Sequence, residues 1–459
     1  MRFNYPLLFS LTVAFMIGSS YVSADNRSIQ TSAVQASPPV EKLFIPTDGV
    51  ALSQFPSYNR LSQSVLIELT SDHEPINWTS TSNQTWLTAT PSGMTGQLIT
   101  LTATPGHLKQ NTAHFAIVTV SSSDLGPTPV TATIRVSLWV GSTDPQTVTI
   151  SQQTVSLAAN PVEPWVYVSS GTPSIEVLNV YTGTAIAIFS EVAPTIGQMI
   201  VSPNGYILFV VDTTNYKIIE LNASTGAEIA SFALDGPIAS DFSFAYARPN
   251  AVGTLFAPGQ SAINVATGNT VSEPISIGIP FYDPLIRATP DGTRLAIVER
   301  GLSPGSLYTF SVTGPAGVLT ITEQQNATIT GENCAALAFS SDGSRLYPAC
   351  GYPYEFDVYD WSTLKQVQTL PAVPYPNNAT FDSLGDFVGG VNGIYQTDDV
   401  FVFNTAGFLL GAIPTTSYSS SEGQGSDLLV TSGDSTRVIS ATDAVYNSNQ
   451  TLMFRNLPP

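Results

Sequence analysis

Histidines, the first candidates for general-base catalysis and metal binding, are few in this chain and lie near its start. Its three histidines are His73, His107 and His114. Histidine is the commonest general base and a frequent metal ligand. Because no histidine follows residue 114, the rest of the chain holds no Ser-His-Asp triad and no histidine-bound metal of its own. We expect each histidine to lie in a solvated loop or half-buried on a strand, with a site shared between domains that uses His107 or His114 as the alternative.

The acidic residues are numerous but scattered. Asp342, Asp357, Asp360, Asp398 and Asp399 follow predicted strands or lie in hairpin loops, where aspartate caps a turn through its own side chain. No run has the alternating aspartates of a calcium loop. A glycosidase-type pair of carboxylates would have to come from distant parts of the chain, and no feature selects one. The sequence therefore predicts no metal, no cofactor and no particular catalytic residue.

Two cysteines, Cys334 and Cys350, flank a Ser-Asp-Gly turn. If Ser341, Asp342 and Gly343 form a three-residue loop, opposite residues have numbers that sum to 684, as 334 and 350 do. Opposite residues in an antiparallel pair lie within disulfide reach. A disulfide is therefore predicted for an exported protein, with two buried thiols as the alternative.

The element that positions these residues is a repeated unit of four short strands. In its clearest copy, Leu337 to Leu370, Gly343 permits a tight turn between two apolar runs because glycine adopts a positive φ at little cost. Two further strands follow, from Tyr354 to Asp360 and from Gln366 to Leu370. Such a unit of about 45 residues is typical of one blade of a β-propeller.

Seven copies of the first hairpin follow one another at a spacing of about 40 to 50 residues. Besides the copy above, they start at Leu157, Ile200, Tyr246, Arg287, Thr380 and Leu429. The Ser-Pro-Asn-Gly and Thr-Pro-Asp-Gly turns resemble those of the YVTN-type β-propeller family, and the Gly-His and Trp-Asp signature of the WD-type family is missing. This resemblance covers about 300 residues and implies a seven-bladed β-propeller over residues 146–459. It implies no particular function.

The repeat is incomplete at its end and has a spare strand at its start. The last copy has only three predicted strands, ending at Arg455, and the alternating run Gln146 to Gln152 precedes the first copy. We expect residues 146–152 to complete the last blade, because closing the ring removes exposed strand edges. The alternative is a linker between domains.

Residues 45–141 contain short alternating runs broken by glycine and proline, a pattern that favours an immunoglobulin-like β-sandwich. The segment from Ile76 to Pro105, with Trp78 and Trp86, resembles the core of a BACON-type domain. That family's name implies carbohydrate binding, although many members resemble spacers. We expect Trp78, Trp86 and Trp139 to be core residues rather than sugar platforms. The predicted fold class is all-β, an N-terminal β-sandwich followed by a seven-bladed propeller.

Residues 1–24 have the composition of a secretory signal peptide, with basic Arg2, an apolar run and small residues at Val22–Ala24. Residues 25–44 are polar and lack periodicity, which predicts a flexible leader. No later segment is apolar over the length of a membrane span. We therefore expect an exported protein, extracellular, periplasmic or at the cell surface, without a transmembrane segment.

The charge balance restricts the partners of the protein. The formal net charge is −19, with 15 lysines and arginines against 34 aspartates and glutamates. Nucleic acids and anionic membranes both attract clustered basic residues. Neither is therefore an expected partner.

Aromatic residues in the later repeats are the main candidates for a binding site. In a propeller, the loop between the second and third strands and the loop between blades open on the same face. The aromatic residues expected there, beside Asp283, Glu332 and Glu355, are Phe281, Tyr282, Tyr352, Tyr354, Tyr375, Tyr395 and Tyr446. Rings beside carboxylates suit sugars or a peptide.

The sequence thus predicts a monomeric, non-catalytic recognition protein whose ligand is a glycan or an extracellular protein. One alternative is a propeller hydrolase or lactonase that uses carboxylates and arginine. Another is a purely structural surface protein without a ligand. The fold does not decide among them, because propellers serve all three purposes.

Overall fold

A computed structural model describes residues 41–70, 74–239, 241–315, 317–392, 398–414, 423–443 and 450–458. From residue 41 onward the chain forms one compact unit. The described part is all-β, as predicted, with one 3-10 turn at Pro249–Ala251 and no α-helix. None of its helical structure has the length or apolar character needed to cross a bilayer.

Eleven strands of the described ranges precede residue 141. They are Leu43–Phe44 (β1), Gly49–Gln54 (β2), Asn59–Arg60 (β3), Ser62–Leu66 (β4), Glu68–Leu69 (β5), Asn77–Ser82 (β6), Leu87–Ala89 (β7), Ser92–Met94 (β8), Leu98–Ala103 (β9), Thr112–Ser122 (β10) and Val130–Val140 (β11). One sheet has the order β3-β2-β11-β10-β6-β8, a second has β4-β9-β7, and β1 pairs with β5. We call these three sheets the N-terminal sheets.

The two larger N-terminal sheets share one apolar core. Strand β9 alternates exposed and buried residues, and its buried Ile99 and Leu101 pack with Val118 and Val136 of the other sheet. The expectation that Trp78 and Trp86 are core residues is confirmed, since 1% and 7% of their surfaces are exposed. Burying side chains of this size stabilises the fold by about 2–3 kcal/mol each.

The remaining strands of the described ranges form seven small antiparallel sheets. The strands are Val148–Ser151 (β12); Ser156–Ala159, Trp165–Ser169, Ile175–Asn179 and Ala185–Phe189 (β13–β16); Ile196–Val201, Ile207–Asp212, Lys217–Asn222 and Glu228–Ala233 (β17–β20); Ala245–Ala247, Thr254–Phe256 and Ile263–Asn264 (β21–β23); Pro284–Ala288, Arg294–Glu299, Ser306–Thr313 and Thr320–Thr328 (β24–β27); Glu332–Phe339, Arg345–Tyr352, Glu355–Asp360 and Gln366–Pro371 (β28–β31); Pro376–Phe381, Phe387–Val391, Val400–Phe403 and Leu409–Ile413 (β32–β35); and Gly423–Thr431, Arg437–Asp443 and Thr451–Asn456 (β36–β38).

The first six of these sheets take their strands in sequence order: β13–β16, β17–β20, β21–β23, β24–β27, β28–β31 and β32–β35. The seventh has the order β12-β38-β37-β36, so the earliest strand lies beside the last. Val148 pairs with Phe454 and Ser151 with Thr451 in this junction.

One turn chemistry recurs between the first and second strands of these sheets. The Ser340 hydroxyl accepts the N–H of Arg345 (3.0 Å) and donates to the Asp342 carboxylate (2.6 Å), while Gly343 takes a φ of +66°. A short polar side chain thus bonds to backbone groups that have no backbone partner in a tight turn. At Ser202, Thr289 and Ser432 the hydroxyl likewise accepts the N–H of the residue five positions later.

Neighbouring sheets are joined by a second recurring contact. A side-chain oxygen on or directly before the first strand of one sheet accepts a backbone N–H on or directly before the first strand of the next. The pairs are Ser156 with Met199, Gln198 with Phe244, Ser243 with Ile286, and Asn378 with Leu428, at 2.7 to 3.2 Å. These bonds satisfy backbone donors that no strand partner reaches.

A buried apolar cluster also fills each junction between consecutive sheets. The seventh sheet shares such a cluster with the first, where Leu452 and Phe454 pack against Val166 and Leu178. The first strands β36 and β13 are in contact as well. Every one of the seven sheets therefore has a packed neighbour on both sides.

Arg437 holds the junction between the first and seventh sheets. Its side chain is fully buried and donates to the carbonyls of Gln146 (2.8 Å) and Val180 (3.2 Å) and to the Asn456 side chain. Burial lowers the pKa of Arg437 to about 10. It stays charged at pH 7, so these acceptors offset the loss of water around the guanidinium.

The N-terminal sheets pack on the end of the seven sheets that carries the first-hairpin turns. Arg248, in the third sheet's turn, donates to Asp48 (2.6 Å) and to the carbonyls of Ile45 and Pro46, and it lies over the Phe44 ring. Burial raises the pKa of Asp48 against the opposing effect of Arg248.

Further contacts join the N-terminal sheets to the turns of four other sheets. Arg135 forms an ion pair with Glu163 and donates to the Asn204 carbonyl. Gln63 donates to the Ser383 carbonyl. Tyr58 lies near Asp434, and the pKa of Tyr58 is raised mainly by burial and further by the charge of Asp434. The N-terminal sheets therefore contact the first-hairpin turns of five of the seven sheets.

Candidate functional site

Three of the predicted aromatic residues form one exposed group, which we call the tyrosine cluster. Tyr352, Tyr354 and Tyr375 expose 51%, 38% and 37% of their surfaces. The ring centroids of Tyr352 and Tyr354 are 5.5 Å apart, and those of Tyr354 and Tyr375 are 5.4 Å apart. The interplanar angles are 83° and 62°, so the rings form a corner rather than a flat surface.

The backbone holds the tyrosine cluster in unusual conformations. Tyr354 has a φ of +73° and Tyr375 a φ of +63°, in a region that bulky residues rarely adopt. Such positions persist where the surrounding structure imposes them, and they concentrate at functional sites. The Tyr375 carbonyl is fixed by the N–H of Asn392 at 2.8 Å.

Gly351 makes room for the Tyr375 ring. A Cβ atom at residue 351 would lie 2.8 Å from Cδ1 of that ring, closer than carbon atoms normally approach. Any larger residue would displace the ring or the strand. In the sequence, Gly351 stands directly before Tyr352, which indicates a position close to the predicted aromatic residues. Tyr375, whose ring it accommodates, is 24 positions further along the chain.

The predicted disulfide between Cys334 and Cys350 is confirmed, and it lies beside the tyrosine cluster. It joins β28 to β29 two residues before Tyr352, and both cysteines are buried. Gly331 allows this packing, since a Cβ there would meet Cys350 Sγ at 2.6 Å. The crosslink therefore ties down the strand ends from which the cluster projects.

The three-residue loop used to predict the disulfide is wrong. Ser340 bonds to Arg345, and Phe339 pairs with Leu346, so the loop has four residues, 341–344, and paired numbers sum to 685. A register shift between Cys334 and Ala336 then brings the two cysteines opposite each other. The correct pairing results from this bulge and not from the turn.

Two glutamates border the tyrosine cluster. Glu332 is the direct cross-strand partner of Tyr352, so the two side chains share one face of the sheet. Glu355 follows Tyr354, and its pKa is raised by partial burial and by the charge of Asp357. Both glutamates are partly exposed. Glu332 is thus a neighbour of the cluster across the strand pair, and Glu355 is its neighbour along the chain.

Phe281 and Tyr282 belong to a different group. Phe281 is half-buried and packs edge-on against Tyr308, with centroids 5.7 Å apart. Tyr282 exposes 60% of its surface, and its N–H is bonded to Glu299 at 2.7 Å. Among the described residues, no ring contact joins this pair to the tyrosine cluster. Phe281 is therefore less exposed than the three residues of the tyrosine cluster.

The remaining two predicted residues, Tyr395 and Tyr446, lie outside the described residues. His73 lies outside them too. The ring Nε2 of His114 is 2.9 Å from the Lys109 carbonyl, in the N-terminal sheets. Within the part of the chain that the structure describes, no three His, Cys, Asp or Glu side chains converge as a metal site would require.

Arg300 links two loops near Phe281. It forms ion pairs with Asp283 and, at 3.3 Å, with Asp241. Burial raises the pKa of Asp283, and a hydrogen bond with Asp241 adds to this effect. One guanidinium is thus shared by two carboxylates from the segments before β21 and β24. The group joins the third and fourth sheets.

The Arg287–Asp427 pair was not predicted. Arg287 of the fourth sheet donates to both carboxylate oxygens of Asp427 in the seventh sheet, at 2.6 and 2.8 Å. Asp427 has a φ of +56° and lies where the β36–β37 register shifts. Each side chain is about one quarter exposed. The pair spans two sheets that are not neighbours, which local patterns do not reveal.

The N-terminal sheets carry a shallow groove of about 490 Å³. Its walls combine hydroxyl and amide side chains of the β6–β7 region, such as Asn83, with the apolar residues Leu87, Ala89 and Pro91. It contains no charged residue, and the nearby Trp86 is buried. Without an exposed ring or a charge, this groove offers less for recognition than the tyrosine cluster.

Comparison of the chain with protein-family models and with curated proteins finds no match.

Proposed function

We propose that the protein is an exported recognition module that binds a glycan or an extracellular protein through the tyrosine cluster. Its fold would be a BACON-like, immunoglobulin-type β-sandwich followed by a closed, seven-bladed, YVTN-like β-propeller. The exposed corner of Tyr352, Tyr354 and Tyr375 is the observation that carries this proposal. Exposed aromatic groups of this kind are typical of binding surfaces.

Ring closure is supported by three separate contacts. Strand β12 pairs with β38, an apolar cluster joins the seventh sheet to the first, and Arg437 donates to both Gln146 and Val180. Each of the seven sheets would then be one blade. With β12 in place the seventh sheet would have four strands, as most of the others have, and a closed ring would leave only short, protected strand edges.

The location of the tyrosine cluster supports its role in binding. Tyr352 ends the second strand of the fifth sheet, Tyr354 lies between its second and third strands, and Tyr375 lies between the fifth and sixth sheets. These loops are at the opposite strand ends from the first-hairpin turns, which the N-terminal sheets cover. A ligand would therefore approach from the uncovered end.

A hydrolase built on carboxylates and arginine finds less support. Its residues would have to converge on a substrate, yet Arg287 is paired with Asp427, and Arg300 with Asp283 and Asp241. The geometry therefore favours recognition over hydrolysis.

The test compares the secreted protein with its Tyr352→Ala/Tyr354→Ala/Tyr375→Ala variant on a glycan array and in a pull-down of extracellular proteins. We expect the variant to lose binding, because aromatic hot spots contribute about 2 kcal/mol or more each. Tyr282→Ala is the control, since Tyr282 is more exposed than any residue of the cluster but lies outside it. Unchanged binding by the triple variant, with a lower melting temperature, would show that these rings only pack the loops.

A further inference from the structure

The angles between the three tyrosine rings restrict what the tyrosine cluster can hold. A flat row of rings stacks on the broad faces of an extended neutral chain. Here the planes meet at 83° and 62°, so the rings border a compact group from more than one side. Rings at steep angles around a small group are the arrangement by which proteins bind organic cations.

The charges around the tyrosine cluster favour a cation as well. Glu332 faces the same side of the sheet as Tyr352, and Glu355 follows Tyr354. Within the described ranges, no lysine or arginine forms an ion pair with either glutamate. The ring faces carry a negative partial charge, and the chain has a net charge of −19. An anionic ligand would be repelled here.

We propose that the tyrosine cluster recognises the ammonium group of a glycan that contains free amino sugars. This inference rests on the proposed function, because it names the ligand class of the same site. The three rings expose 37–51% of their surfaces, so a sugar can lie across them. A lysine side chain would instead favour a deep cage that encloses its ammonium group. A sugar ring would lie against a tyrosine face, its hydroxyls would bond to phenol groups, and its amine would face Glu332.

The experiment is a titration of the full secreted protein with two matched oligosaccharides. One is a β-1,4-linked glucosamine tetramer, and the other is the same tetramer with every amine acetylated, so they differ in charge but not in backbone. We expect the free amine to bind about tenfold tighter, and added salt to reduce that difference. Equal affinities, or a preference for the acetylated tetramer, would overturn the proposal.

Substitutions then assign the preference to individual residues. Glu332→Gln should reduce the tenfold preference while leaving the weaker binding of the acetylated tetramer, because the ring faces remain. Glu228→Gln, an exposed glutamate on β20, is the control and should change neither affinity. Tyr352→Ala should weaken both tetramers. An unchanged preference in Glu332→Gln would contradict the assigned role of that carboxylate.

Two further outcomes separate this inference from the function on which it rests. If a tetralysine peptide binds at the tyrosine cluster and the glucosamine tetramer does not, the ligand is a protein and the glycan assignment is overturned. If only neutral glycans bind and the triple tyrosine variant loses them, the cation inference fails and the proposed function stands. If no ligand of the intact protein depends on the tyrosine cluster, both fail.

Discussion

At the scale of single residues, one turn departs from the repeated chemistry. Asp382 occupies the position that a serine or threonine fills at Ser202, Thr289, Ser340 and Ser432. Its carboxylate accepts the N–H groups of Leu384 and Asp386, both at 2.9 Å. Burial raises the pKa of Asp382 to about 6, and these backbone bonds only partly oppose that effect. Between about pH 4 and 6, the Asp382 carboxyl is therefore mostly protonated in the folded protein and mostly ionised in the unfolded chain.

The first prediction concerns the pH dependence of this turn. The stability associated with protonated Asp382 is complete below about pH 4 and is lost as the pH rises through about 6. Asp382→Ser should therefore raise the free energy of unfolding at pH 8, by at most about 3 kcal/mol, and should have little effect at pH 4. Melting temperatures across this range measure the difference. A gain that is the same at both pH values would contradict the titration of Asp382.

The second prediction tests the close approach of Gly351 to Tyr375. Gly351→Ala should displace the ring by several tenths of an ångström and weaken ligand binding more than it lowers the melting temperature. Binding is measured with the ligand found on the array. Gly236→Ala is the control, since a Cβ there meets no atom within 4 Å. Normal binding by Gly351→Ala would show that the orientation of Tyr375 is not needed.

At the scale of the elements, one repeat position has acquired a different role in the last sheet. Arg294, Arg345 and Arg437 all follow a first-hairpin turn. Arg345 is half-buried and bonds to Gln368, whereas Arg437 is fully buried between the first and seventh sheets. At this junction, an arginine at a position that recurs in the repeat bonds to Gln146, almost 300 residues away in the chain.

The third prediction compares substitutions at these equivalent positions. Arg437→Met should lower the free energy of unfolding by about 3 kcal/mol, because it removes the donor to the carbonyl of buried Val180 and to the Gln146 carbonyl. Arg345→Met should cost less than about 1 kcal/mol. Hydrogen exchange should also speed up in β12 and β38 only for the first variant. Similar losses in both variants would mean that Arg437 does not hold the junction.

At the scale of the whole molecule, the described N-terminal sheets pack on the end of the seven sheets that carries the first-hairpin turns and contact five of those turns. The Arg248 contacts with Asp48, Ile45 and Pro46 are the most concentrated part of this packing. Both charged side chains are about 14% exposed, so solvent screens their attraction only weakly.

The fourth prediction is a coupling energy across this contact. A double-mutant cycle of Asp48→Ala and Arg248→Ala should give about 1.5–3 kcal/mol, the range for hydrogen bonds between charged groups that are poorly solvated. The cycle is followed by chemical unfolding at pH 7. Arg60 and Asp386, which interact only electrostatically, provide the comparison pair and should couple by less than about 1 kcal/mol. Equal coupling in both cycles would show that the Arg248 contact is an ordinary surface pair.

Local chemistry made the strands and turns predictable from the sequence. Alternation of apolar residues and the Ser/Thr-x-Asn/Asp-Gly turns act over a few residues, so each copy of the first hairpin carries its own signal. The all-β class and the disulfide followed from such patterns. The disulfide nevertheless shows the limit, because the loop is one residue longer than expected and a bulge beside Cys334 restores the pairing.

Only the tertiary structure decided which residues meet across long separations. The seven predicted aromatics looked equivalent in sequence, yet Phe281 packs on Tyr308 while Tyr352, Tyr354 and Tyr375 remain exposed together. The same holds for the Arg287–Asp427 pair and for the packing of the N-terminal sheets on one end of the others. Burial and ion pairing depend on which surfaces the whole chain brings together, and turn and strand preferences carry no information about that.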